Sequence, residues 1–223
     1  VMGVLLIELL KYLKKSLVPN PIALIGYSGH AYVVADIFYS MNKVVKAYCE
    51  RSEKVINPYN LDYLGDDQDK IVIDLLKDYY CFVAIGDNKL RQRISEHLSN
   101  YLSQNINAIH ASATVSPKCI LGKGVMVGPQ AVINSLAEIG NGVICNSNCT
   151  IEHECHIGDY AHIAPGATLA GNVKVGQRTF VGANAVVKQG VKIGADVVIG
   201  AGTVIINDVP DNVKVVGNPQ RQL

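Results

Sequence analysis

Residues 139–175 read in sixes as IGNGVI, CNSNCT, IEHECH, IGDYAH, IAPGAT and LAGNVK, closing on Val175. The beat runs on in both directions without losing register. From Ile109 to Ile205 it makes seventeen hexads, sixteen of which open on an aliphatic residue; Cys145 opens the other. The fifth positions hold only Ala, Cys, Val or Thr. Second positions are glycine at residues 122, 128, 140, 158, 176, 182, 194 and 200.

A unit of six residues cannot bury an apolar face alone, so its stability must come from stacking on copies of itself. The period predicts a parallel β-helix. Each hexad is a short strand plus a corner, and three hexads close one triangular coil. Seventeen hexads then give just under six coils. At roughly 4.8 Å per coil the prism stands about 27 Å tall. Aliphatic first positions and small or β-branched fifth positions are expected inside. The second-position glycines are expected to supply positive φ at the corners.

The N-terminal half has a different rhythm. Residues 22–25 (IALI) read as a short buried strand, followed by the turn Gly26-Tyr27-Ser28-Gly29-His30 and a helix over 31–41. A strand, a Gly-rich turn and a helix N-terminus can receive a phosphate on free N–H groups. Further strands are expected at 43–47 and 79–85, with helices at 70–77 and 89–102. Alternating strands and helices imply a small parallel sheet covered on both faces. Ligands of such sheets bind outside the carboxyl ends of the strands. Gly26–His30 and Gly86-Asp87-Asn88 both fall there, so one ligand could use both turns. The division expected is a leading segment over 1–20, an α/β domain over 21–106 and the β-helix over 107–223. Within the leading segment, residues 1–18 are expected to form an amphipathic helix that packs on the body or a neighbour, meets a membrane surface, or is an extension. The order of its charges does not suit a signal peptide.

Composition removes several classes of function. The net charge is +1 with no basic run, which leaves no electrostatic footprint for nucleic acid. The six cysteines are singletons without metal-type spacing, and three of them occupy fifth positions. They read as small core residues of a reducing, cytoplasmic compartment. No run approaches the ~20 apolar residues of a membrane span. Membrane contact is not expected.

The one cluster with chemistry is Glu152-His153-Glu154-Cys155-His156, with His162 beyond it. His153 is at a third position, where a side chain can point outward, and imidazole is a base near neutral pH. Glu154 beside it could hold the imidazolium that forms. His156 reads as a surface or corner residue. His153 and His162 are half a coil apart, so on one prism they face different directions. A site shared between two prisms would bring them together.

Three features now coincide: a domain opening with G-x-S-G-H, a strand ending in G-D-N, and hexads containing I-E-H-E-C-x-I-G-x-x-x-H. Together they resemble the sugar acetyltransferases of the bacterial UDP-4-amino-sugar N-acetyltransferase and sialic acid O-acetyltransferase type. That resemblance implies an N-terminal Rossmann-like α/β domain followed by an all-β left-handed parallel β-helix, assembled as a homotrimer with intersubunit active sites. It implies acetyl-CoA as co-substrate, a nucleotide-linked amino sugar as acceptor, UDP-linked by preference, and no metal. Carried over, the catalytic base is His153 and the carboxylate that makes it more basic is Glu154. Acetyl-CoA contacts fall on His162, Ala183 and Ala201, with the Gly171 N–H as oxyanion donor. Nucleotide-sugar contacts fall on Gly26, Tyr27, Ser28, Gly29, His30, Gly86, Asp87 and Asn88, with Asn146 near the sugar. Many relatives end the second strand in Asp-Asp, where this chain has Cys49 and Glu50; Glu50 could still accept a hydrogen bond. The segment 209–218 resembles the end that caps such helices. Two alternatives remain: a sugar O-acetyltransferase of the sialic acid type, and a non-catalytic sugar-nucleotide-binding scaffold. A metal-dependent carbonic anhydrase on the same scaffold is set aside, because its histidine ligands follow a different spacing.

Overall fold

The computed structural model describes residues 21–102 and 106–223. The helix expected over residues 1–18 lies outside the described residues. The first body runs β1 (Ile22–Ile25), α1 (Gly29–Ser40), β2 (Val45–Cys49), β3 (Asp62–Gly65), α2 (Lys70–Leu76), β4 (Tyr80–Val83) and α3 (Asn88–Ser99). Its four strands are all parallel, in the order β3-β2-β1-β4. The run IALI is apolar throughout because β1 is covered on both faces. Ile22 and Leu24 pack with α1, while Ala23 and Ile25 pack with α2 and the end of α3. Strand order reverses between β1 and β4, which opens a crevice at their carboxyl ends.

Two local expectations are corrected. The second strand lies two residues later than expected, because Tyr48 and Cys49 are buried and pair with Leu24 and Ile25. No strand was expected at Asp62–Gly65. Its sequence DYLG offers only two apolar residues, and it forms a half-covered edge strand.

From Ala108 to Ile205 seventeen two-residue strands follow at every sixth residue. Each pairs in parallel one coil away, as Glu138 does with Ile120 and with His156. They form three parallel sheets, the faces of a left-handed triangular prism. First and fifth positions fill the interior: Ile133, Ala137, Cys149, Ile151, Ile163 and Ala167 are wholly buried. At the C-terminal end, Lys214–Val216 adds a parallel strand beside Val198–Ile199, and Arg221–Gln222 folds back on it antiparallel. The sixth positions point outward, and one face differs from the others. Its residues Ala108, Met126 and Ile144 are apolar and buried in the same cluster as α1 and β1. The first body is therefore seated on that face.

The corners depart from the expectation. Positive φ falls on the fourth position, not the second: Gly124, Gly142, Gly166 and Gly190 adopt it, and so do Asn148, Asn172 and Asn184. Prolines 117, 129 and 165 occupy third positions. The fifth-position N–H bonds back to the second-position carbonyl, as from Ala113 to His110 at 2.9 Å and from Ala167 to Ala164 at 3.1 Å. Proline at i+1, a left-handed residue at i+2 and an i to i+3 bond are the marks of a type II turn. The second-position glycines serve a different need, which is close approach between coils. A Cβ on Gly158 would lie 2.6 Å from the Gln177 nitrogen and 2.9 Å from the Gly176 carbonyl carbon.

Two substitutions separate these roles. Gly158→Ala must push two coils apart and is expected to cost about 1–3 kcal/mol. Gly190 stands at φ +75 with nothing within 4 Å of an added Cβ. Gly190→Asn is expected to change stability by no more than about 0.5 kcal/mol, because Asn tolerates the left-handed region. Urea midpoints of the two variants check the contrast.

Candidate active site

His153 and Glu154 are the third and fourth residues of one corner turn. Glu154 has φ 60, a value shared by the fourth positions of the other corners, so its backbone is the corner norm. The turn holds the two side chains side by side, with His153 Nδ1 3.0 Å from Glu154 Oε2. Both are about half exposed. An Nδ1–H donated to the carboxylate leaves Nε2 with its lone pair toward solvent, the form required of a base. One coil further on lies Gly171. A Cβ there would sit 2.5 Å from His153 Cε1 and 2.6 Å from Nε2, so the imidazole rests on the bare glycine. Second- and fourth-position N–H groups make coil-to-coil bonds, as Ala170 does to Val187 and Asn172 to His153. The third-position N–H of Gly171 stands outside that ladder, beside the ring. His156 is turned to the surface, where its Nε2 lies 3.6 Å from Glu138.

His162 is elsewhere. His153 caps the corner between two sheets, and His162 belongs to the third, opposite sheet. Within one chain the two do not meet. His162 is 8% exposed and continues the face on which the first body is seated. Its Nε2 is 3.1 Å from Asn146 Nδ2, its ring centroid is 5.0 Å from Phe180 and 6.4 Å from His30. His30 projects from the first turn of α1. Buried His30 Nε2 and His162 Nδ1 make no hydrogen bond of good geometry among the described residues, although the Gly86 backbone lies close to His162. Burial pushes His162 down to about 3, aided by the charges of Arg91 and His30 and opposed by the Gly86 backbone. Burial and Arg91 likewise hold His30 at about 4. Both rings are neutral at physiological pH. The structure thus groups His162 with His30, Gly86 and Asn146. Ala183 and Ala201 stack on a third corner, one coil apart, away from His153.

The β1–α1 turn is tight and its helix N-terminus is uncapped by side chains. Gly26 has φ +90, and a Cβ on it would lie 2.7 Å from Ile85 Cγ1. Ser28 is the extended N-cap of α1 with no side-chain capping bond, and no acidic residue occupies the first turn. A helix N-terminus of this kind can receive an anion on its N–H groups. The Tyr27 side chain is 1% exposed, stacks on Tyr48 at 4.2 Å and donates to Asn57 at 2.8 Å, so its backbone is the part that can face a ligand. Asn88 turns its amide toward the prism and α3: it donates to the Arg178 carbonyl and accepts from Arg91, both at 2.9 Å. Asp87 caps α3 by accepting from Leu90 at 2.7 Å.

A cavity of about 570 Å³ opens at the strand carboxyl ends; of the residues expected at a shared site Gly26 and Glu50 line it, with Ile85 beside them, while Ser28 to His30 and Gly86 to Asn88 do not. The sequence did not point to Asp66, Asp67, Arg51 or Arg93, which line it too. Cys49 is wholly buried, so its thiol faces the core. The carboxylates of Asp66 and Asp67 enter the cavity from the end of β3 instead. Their signal was the Gly65-Asp66-Asp67 run, hidden because its strand was not recognised. Among the described residues no group of three or more His, Cys, Asp or Glu is placed to hold a metal, and no helix is long and apolar enough to cross a membrane.

Comparison with known proteins gives concordant matches. The PglD N-terminal domain family matches residues 21–98, and the bacterial transferase hexapeptide (six repeats) family matches 137–171 and 172–207. A histidine-to-alanine variant of a GDP-perosamine N-acetyltransferase from Caulobacter crescentus, in complex with CoA and GDP-perosamine, is 36% identical, with TM-score 0.85 over 91% of this chain and 96% of that one. The acetyltransferase domain of PglB from Neisseria gonorrhoeae, in complex with acetyl coenzyme A, is 30% identical, with TM-score 0.86 over 92% of this chain and 100% of that one. WeeI from Acinetobacter baumannii, at 24% identity and TM-score 0.78, shares the fold. An uncharacterized protein of Acanthamoeba polyphaga mimivirus is 31% identical over 114 residues; the match spans 49% of this chain and 21% of that protein.

The buried histidines predict an acid limb in stability. Their folded values lie below the ordinary 6.5, so between about 4 and 6.5 the unfolded chain binds protons that the folded one refuses. Their contribution is complete above pH ~6.5 and is lost as pH falls toward about 3–4. The fall in urea midpoint from pH 7 to pH 4.5 is expected to be smaller in His162→Gln than in the wild type. An equal fall in both would mean that His162 takes up its proton without opposing the fold.

Proposed function

This chain belongs to the hexapeptide-repeat sugar acetyltransferases, and on that premise we propose that it transfers the acetyl group of acetyl-CoA to the amino group of a nucleotide-linked 4-amino sugar. The observation that carries the reading is the His153–Glu154 pair resting on Gly171, a base and a free N–H set together on an exposed corner. The acceptor amine attacks the thioester carbonyl, and His153 Nε2 takes the proton that the nitrogen loses. The oxygen gains negative charge, which the Gly171 N–H meets. The C–S bond then breaks. The imidazolium, held by Glu154, returns its proton to the CoA sulfur, and an N-acetyl sugar and free CoA result.

The nucleotide is read in the cavity of Gly26, Glu50, Asp66 and Asp67. Its diphosphate meets the open N-terminus of α1, and UDP or GDP supplies the base. Asn146, His30 and His162 stand where the prism and the α/β body meet. Because His153 and Ala183/Ala201 occupy different corners, the reading places each site between two chains of a homotrimer: one chain gives His153 and Gly171, its neighbour gives His162, Ala183 and Ala201. Acetyl-CoA lies in the groove between the prisms.

The test is acetyl transfer to a panel of UDP- and GDP-linked amino sugars, read by product mass. A gain of one acetyl group on one sugar is expected, with kcat reduced about 10²–10⁴-fold in His153→Ala. Acetylation of a sialic acid hydroxyl alone, or full turnover without His153, would overturn the reading. The shared site has its own test. His153→Ala and Ala183→Arg are each expected to be inactive, and co-expression of the two should restore part of the activity through mixed trimers. A mixture as inactive as its parts would place each site within one chain.

A further inference from the structure

Arg91 is the largest wholly covered side chain among the described residues, 2% exposed, and it carries a charge. It lies on α3 where that helix crosses the prism. Its six acceptors are the carbonyls of Ile85, Gly86, Gly142, Tyr160 and Ala161 and the side-chain oxygen of Asn88, so the guanidinium is satisfied by dipoles. The acceptors belong to two bodies. Nη1 donates to Ile85 and Gly86 at 3.0 Å each, on the turn after β4. Nε donates to Gly142 at 2.7 Å and Nη2 to Tyr160 at 2.8 Å, on the prism.

The prism acceptors follow from the corner turn. Gly142, Tyr160, Arg178 and Asp196 are left-handed fourth positions stacked on one corner. The coil-to-coil bond at each corner takes the fourth-position N–H to a third-position carbonyl, as from Tyr160 to Asn141. The fourth-position carbonyl is not part of that bond. The corner therefore offers a row of outward acceptors at coil spacing. Arg91 takes two of them, and Asn88 takes the next, at Arg178.

We propose that Arg91 is a positioning residue: its planar fork fixes the Gly86–Asn88 turn against the prism, so that the nucleotide cavity and the His30–His162 junction are held in one register. This rests on the nucleotide-sugar reading above. The turn is poised between both parts of the site. Ile85 lines the cavity, and Gly86 lies against His30, whose Cγ would be 3.9 Å from a Cβ placed there. A lysine in place of Arg91 would keep the charge and lose the fork, because three donors on one nitrogen cannot span both bodies. Gln92, one residue along, accepts from Arg178 at 3.1 Å and does not reach the turn.

The experiment compares wild type with Arg91→Lys, Arg91→Met and Gln92→Ala by amide hydrogen exchange and by steady-state kinetics, well below each melting temperature. In Arg91→Lys, exchange is expected to rise at residues 86–91 and not in α1. KM for the nucleotide sugar is expected to rise about tenfold or more, with kcat and KM for acetyl-CoA within about twofold, since a misplaced substrate wall acts on binding of that substrate. Gln92→Ala should match wild type in both readouts, and Arg91→Met should exceed Arg91→Lys. If Arg91→Met does not fold, Arg91→Lys decides. A folded Arg91→Lys that melts lower with unchanged exchange at 86–91 and unchanged KM would overturn the proposal, as would equal losses toward both substrates. If wild type acetylates no nucleotide sugar, the acceptor reading fails, and the exchange at 86–91 still decides the role of Arg91.

Discussion

The corner turn is the constraint on which this molecule depends. Coils of the prism are joined by short parallel ladders and by bonds at the corners, and each face must hand over to the next within one tight turn. A type II turn does this if its second central residue is left-handed, hence the glycines and asparagines at fourth positions. The same turn leaves two groups outside the ladder, a third-position N–H and a fourth-position carbonyl. Both are put to use. The N–H of Gly171 stands beside His153, and the carbonyls of Gly142, Tyr160 and Arg178 receive α3. The proposed chemical site and the seat of the α/β body are two uses of one backbone geometry.

Burying Arg91 without a carboxylate is costly in principle, since a charge removed from water must be repaid by polar partners. Five carbonyls and an amide do so here, and the guanidinium, lowered to about 10 by burial, remains charged. That charge acts on its surroundings as well. It adds to burial, the larger cause, in disfavouring protonation of His30 and His162, so both rings are neutral in the junction.

Much of this was legible in residue order. Sixteen aliphatic first positions fix which residues are inside, and the strands fall at the expected sixes. His153 beside Glu154 was readable because neighbours in a turn are neighbours in space. Other features were not readable. β3 was missed because an edge strand needs little apolar sequence. The positive φ was assigned to the second-position glycines, because sequence marks a glycine without saying whether conformation or close approach demands it. The directions of the Tyr27 and Asn88 side chains were not readable either, because a turn does not reveal which way its side chains point.

Sequence alone determined the repeat, its interior, the order of the two bodies and the exposed His–Glu pair, since each depends on period or adjacency. Tertiary structure alone decided what lies between the bodies. His162, with no charged neighbour in sequence, became a buried neutral ring because the α/β body covers its face. Asp66 and Asp67 entered the cavity because β3 pairs beside β2. Arg91, one of several cations on a polar helix, became the joint because its fork meets carbonyls that are 51 and 69 residues away in the chain. Contacts of that range follow from how the chain closes in space, and no local pattern encodes them.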